Sequence, residues 1–119
     1  MISRYWCRCL ALRLLYRWRS PKRLLKRLLP LIREVARQNG YAIAVHGSLK
    51  RDIDLVAIPW VEESKSPEEL IMAIEAKIGW FHVDLDNPVI RSHGRKAWSI
   101  VTHGVTTYID LSVMPRMEQ

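Results

Sequence analysis

Cysteine is scarce in this 119-residue chain: Cys7 and Cys9 are the only two. Two cysteines so close together build no disulfide framework, and no Cys/His partners at zinc spacing accompany them. The expected setting is therefore reducing and cytoplasmic. Long apolar runs are missing as well. None approaches the roughly 20 residues that cross a bilayer. Arg8, Arg13 and Arg17 interrupt the apolar stretch near the start, so it is not expected to act as a signal peptide. No Gly, Pro or Gln bias suggests disorder, and no internal repeat or low-complexity segment is present. Acid is nearly absent from the first third. Residues 1–40 hold eleven Lys/Arg against the single Glu34, whereas residues 41–119 hold eight Lys/Arg against eleven Asp/Glu. The net charge of +7 thus belongs to the N-terminal region, and the basic pI is no sign that the body binds nucleic acid.

What is present is enough chain for one domain with a modest core. Residues 1–29 read as a basic arm and residues 30–119 as the body. Over residues 4–19, Cys7, Leu10, Leu14 and Trp18 can share one side of a helix, with Arg4, Arg8 and Arg17 near another. Such a helix packs on the body with its arginines in solvent, contacts nucleic acid or an acidic membrane, or is a poorly ordered arm. Ser20-Pro21 reads as an N-cap followed by proline at the first helical position. Leu24, Leu25, Leu28, Ile32, Val35 and Ala36 recur at helical spacing, and Pro30 predicts a break between a short helix to Leu28 and a second one over 30–38. Asn39-Gly40 predicts a left-handed stop.

Two strands are predicted over 41–45 and 53–58, antiparallel because the link is too short for a crossover helix. Ser66-Pro67-Glu68-Glu69 carries a cap, a proline and a third-position glutamate, and predicts a helix burying Leu70, Ile71, Ile74 and Ile78. Asp84, Asp86, Asn87 and Pro88 mark a turn, and residues 93–96 a polar loop. Strands over 97–102 and 105–113 joined at His103-Gly104 complete the prediction. In the last one, Tyr108, Asp110 and Ser112 share a face opposite Ile109, Leu111 and Val113. Trp60, Trp80 and Trp98 read as core rather than as base-stacking platforms. The fold class is α+β, with a small mixed, largely antiparallel sheet flanked by helices.

The chemistry concentrates in His46-Gly47-Ser48-Leu49-Lys50-Arg51-Asp52-Ile53-Asp54. Asp52 and Asp54 lie two apart at the head of a strand, so their carboxylates share a face. Adjacent carboxylates repel unless a cation or proton lies between them. Gly47-Ser48 offers a permissive backbone, free N–H groups and a hydroxyl, which together make an anion cradle. A phosphate cradle beside paired acids suits phosphoryl transfer assisted by a divalent metal. Lys50 and Arg51 can neutralise phosphate or simply offset the neighbouring acids, and His93, Arg95 and Lys96 can form a second phosphate contact or a solvated loop. His46 suits a structural or phosphate-side donor better than a base.

Gly47-Ser48, then Asp52-Ile53-Asp54-Leu55, a helix, and a later strand carrying Asp110 resemble the nucleotidyltransferase superfamily of the DNA polymerase β type. The likeness extends over about residues 30–113 and is greatest to its minimal, stand-alone or phage-type single-domain members. It implies that Gly47 and Ser48, helped by Lys50 and Arg51, hold the phosphates of a nucleoside triphosphate. It further implies that Asp52, Asp54 and Asp110 bind Mg²⁺ (or Mn²⁺), with Asp110 helping to activate an acceptor hydroxyl. Only three residues separate Gly-Ser from the paired acids, a shorter link than the family commonly has.

The expected function is metal-dependent transfer of a nucleotidyl group to an acceptor, which can be nucleic acid or protein. A module without catalysis, binding nucleic acid or a protein through the basic arm, is the alternative. In a purely structural reading, Asp52 is a strand-end cap, Asp54 an exposed edge residue, and Asp110 the partner of an arginine.

Overall fold

In the computed structural model, residues 21–79, 82–101 and 107–116 are described. Arm residues 1–20, Trp80, and the His103-Gly104 turn lie outside them. The order of elements is α1 (Pro21–Gln38), β1 (Tyr41–His46), β2 (Ile53–Pro59), α2 (Pro67–Ile78), β3 (His82–Val83), β4 (Val89–Ile90), a short 3₁₀ turn (Ser92–Gly94), β5 (Lys96–Val101) and β6 (Ile109–Val113). The strands form one mixed sheet in the order β1-β2-β6-β5-β3, with β4 also paired to β5. Only β2 and β6 run parallel; β1/β2, β5/β6, β3/β5 and β4/β5 are antiparallel. This is the α+β class that the sequence predicts.

Helix α1 corrects two expectations. It is a single helix with Pro30 inside it, not two pieces. Pro30 is exposed, so its ring and missing N–H fall on the solvent side, while Leu24, Leu25, Leu28, Ile32, Val35 and Ala36 are all buried. One continuous apolar stripe outweighs the local proline penalty. The division at residue 29/30 consequently falls inside an element, and residues 21–29 share the core of the body. The C-terminal stop is as predicted: Gly40 has φ +87, and the Asn39 side-chain amide donates to the Val35 carbonyl at 2.8 Å. A Cβ on Gly40 would lie 2.8 Å from the Ser64 backbone, so the closeness of that loop also requires glycine.

Ser66 caps α2, accepting from the Glu69 amide at 3.2 Å, and Gly79 closes the helix in the left-handed region at φ 75. Leu70, Ile71, Ile74 and Ile78 face inward as expected. They meet α1 and the apolar face of the sheet, formed by Ile43, Ile53, Leu55, Ala57, Trp98, Ile100, Ile109, Leu111 and Val113. Trp98 is only 2 % exposed, as read, and its indole donates to the Leu85 carbonyl at 3.1 Å. Trp60, in contrast, is 64 % exposed.

Strands β3 and β4, two residues each, are absent from the sequence reading. Thr107 and Tyr108 precede the last strand, which begins at Ile109 where its ladder with β2 starts, at Ile53 opposite Ile109; residues 105 and 106 of the expected strand lie outside the described residues. Both helices contribute to the core on one side of the sheet. The alternate residues of β1, β2 and β6 therefore turn away from the two described helices, onto the opposite face of the sheet.

Candidate functional site

Strand register alone builds the site. Asp54 is paired with His46 on one side and with Asp110 on the other, and Asp110 is paired in turn with Ser99. Paired residues share a face, so His46, Asp54, Asp110 and Ser99 form a row across the sheet face turned away from the two described helices. Ile53, Leu55, Ile109 and Leu111, which alternate with the acids, are fully buried in the core. The acids are thus turned outward because their neighbours are turned inward. Asp54 lies on a central strand between β1 and β6, which excludes an edge residue. Asp52 precedes β2, one step beyond the row, near enough to the Tyr108 phenol to raise it. The Ile53 amide donates to the Tyr108 carbonyl at 3.1 Å, which fixes the two chains at this end.

The Gly-Ser turn touches the acids directly. Gly47 has φ +76, and a Cβ there would overlap the Asp54 carboxylate and stand 3.1 Å from its Cγ. Glycine is needed both for the backbone angle and for the room. Leu49 also occupies the left-handed region, at φ 57, where a branched side chain is disfavoured. Its partial burial against the core holds it there. Ser48 Oγ accepts from the Lys50 amide at 3.4 Å, and Ser48, Lys50 and Arg51 point into solvent around the turn.

Arg91 is the site residue that sequence reasoning missed. Its guanidinium donates to Asp110 Oδ2 at 2.7 Å, with the arginine side chain 44 % exposed and the aspartate 16 %. The loop that carries it is held by the Arg91 amide donating to the Arg95 carbonyl at 2.8 Å. Arg95 reaches Ser112 Oγ at 3.3 Å, two residues along β6 from Asp110, which explains why Ser112 is buried and not exposed like an open-face residue. Of the loop cations read as phosphate contacts, Lys96 is elsewhere. It pairs with Glu68 of α2 at 2.8 Å and so belongs to the helix side. No local motif marks Arg91; only the fold of the β4–β5 loop brings it to Asp110.

Electrostatics show that these groups sense one another. The Asp110 carboxyl is raised above its ordinary value, first by burial; Asp54 and then Asp52 add to this, while Arg91 and His46 oppose it. The Tyr108 phenol is raised too, chiefly by its hydrogen bond and charge interaction with Asp52. Hard carboxylate oxygens are the donors Mg²⁺ and Mn²⁺ prefer. As the side chains stand, however, no group of three or more acids, histidines or cysteines among the described residues is placed to hold a metal ion. The cation on Asp110 is Arg91. Asp52, Asp54 and Asp110 match a divalent metal in donor kind but not, as they stand, in placement. No protein-family model matches the chain, and no curated protein or solved structure matches it significantly.

Proposed function

We propose that the protein is a small nucleotidyltransferase, moving a nucleotidyl group from a nucleoside triphosphate to an acceptor hydroxyl. The observation that carries this reading is the in-register pairing of Asp54 with Asp110 on the sheet face away from the described helices, with Gly47 packed against Asp54. Two adjacent carboxylates on central strands, one of them raised by burial and by the other's charge, are costly as structure alone. When bound, a divalent cation would offset the acids' charge and polarise the α-phosphate.

The chain's own residues supply the rest. The turn at Gly47-Ser48 offers backbone N–H groups to the phosphates, with Lys50 and Arg51 beside it. Asp110 accepts the proton of the acceptor hydroxyl as its oxygen bonds to the α-phosphorus. The α–β phosphoanhydride bond then breaks, and pyrophosphate leaves. Arg91 balances Asp110 until the site fills, and then stands near the transferring group as a phosphate partner.

The second reading is a module without catalysis, and the Arg91–Asp110 ion pair favours it by giving Asp110 a structural partner. Melting curves with Mn²⁺ and each nucleoside triphosphate separate the two. Stabilisation that needs both metal and nucleotide supports the enzyme; no response to any combination supports the module.

A further inference from the structure

The basic character found in the sequence acquires a definite surface on α1. Lys22, Arg23, Lys26, Arg27, Arg33 and Arg37 are all exposed, against the single acid Glu34. At 3.6 residues per turn, Lys22, Lys26, Arg33 and Arg37 fall within about 60° of one another, and the stripe runs about 22 Å along the helix. The two ion pairs among the described residues, Arg91–Asp110 and Lys96–Glu68, use none of these cations. We propose that this stripe is a docking surface for the phosphate backbone of nucleic acid, engaged without regard to base sequence.

Three features select that partner. A duplex carries one charge per about 1.7 Å of axis, so a 22 Å stripe meets enough phosphates to engage every cation. The face carries cations and no large apolar side chain, which suits contacts to phosphate and not to base edges. A helix that settles on a lipid surface inserts an apolar face. The apolar face of α1 is already buried in the core of this protein.

The stripe also lies on the helical layer, across the sheet from Asp54 and Asp110. It therefore acts as a tether and not as the groove that leads to the acids. The charge and exposure of the stripe are the same whether or not the acids are catalytic.

The test uses the full chain, a 20-base-pair mixed-sequence duplex and a single-stranded RNA of the same length, titrated between 50 and 200 mM salt. Replacing Lys22, Lys26, Arg33 and Arg37 together by Gln is expected to weaken binding at least tenfold at 50 mM salt. The slope of log affinity on log salt should fall by about 3 to 4, since each lost phosphate contact contributes roughly 0.7 to 0.9. Any melting shift with Mn²⁺ and nucleotide should be unchanged. The companion variant Arg33→Lys/Arg37→Lys keeps the charge and should keep affinity and slope; it also serves if the fourfold variant does not fold. The proposal is overturned by a wild-type chain that binds neither nucleic acid at 50 mM salt. It is equally overturned by a folded Gln variant with unchanged affinity, by loss of binding in the Lys variant, or by vesicles containing phosphatidylserine binding as tightly as duplex at equal phosphate concentration.

Discussion

Asp110 shows how the site is poised. Burial and the charge of Asp54 raise its carboxyl, and the Arg91 guanidinium at 2.7 Å does not fully reverse the shift. Because the folded value lies above the unfolded one, the folded state holds this proton more tightly. Its contribution to stability is complete below the unfolded value and is lost as pH rises through the folded value. At neutral pH, Asp110→Asn should therefore melt no lower than wild type. As pH rises above the ordinary aspartate range, its melting temperature should also fall less than wild type's. A substantially lower melting point at pH 7 would mean that the ion pair with Arg91 outweighs the burial cost. Gly47 is the other decisive residue. Gly47→Ala forces a side chain into φ +76 and onto the Asp54 carboxylate. Denaturant unfolding should show a loss of about 1–2 kcal/mol from the left-handed backbone alone, and any metal response should weaken because Asp54 is displaced.

Helix α2 is held by local chemistry and α1 by its burial. Ser66→Ala removes the cap on the Glu69 amide and should cost about 1 kcal/mol in urea unfolding. Pro30→Ala should act in the opposite sense. It restores a helix-interior N–H on an exposed position, and a gain of about 1–3 kcal/mol is expected from the penalty proline carries there; an unchanged midpoint would show that α1 has already absorbed that penalty. This contrast also marks what was legible in the sequence. Caps, glycine stops and the alternation that turns Asp54 and Asp110 away from Leu55 and Leu111 depend on neighbours in the chain, and could be read directly. The continuity of α1 depends on six residues burying in one core, which the local proline rule does not weigh. The two-residue strands β3 and β4 exist only as partners of β5. The parallel register that puts Asp54 beside Asp110 joins positions 56 apart, and Arg91 reaches Asp110 across 19 residues. Those pairings belong to the fold and not to any short stretch.

On the scale of the molecule, the cation stripe of α1 and the Asp54–Asp110 pair lie on opposite sides of the sheet. The stripe belongs to the helical layer, and the paired acids to the face turned away from the described helices. Among the described residues, no helix is long and apolar enough to cross a membrane. The central claim is that Asp54 and Asp110 form a functional pair and not a structural one. It is tested most directly by melting wild type, Asp54→Asn and Asp110→Asn, each alone, with Mn²⁺, and with Mn²⁺ plus a nucleoside triphosphate. Mn²⁺ with nucleotide should raise the wild-type melting point, by the equivalent of about 2.7 kcal/mol at a hundredfold excess over the dissociation constant. Both variants should lose that gain while melting no lower than wild type when metal-free. A wild type indifferent to metal and to every nucleotide, with both variants melting clearly lower, would contradict it.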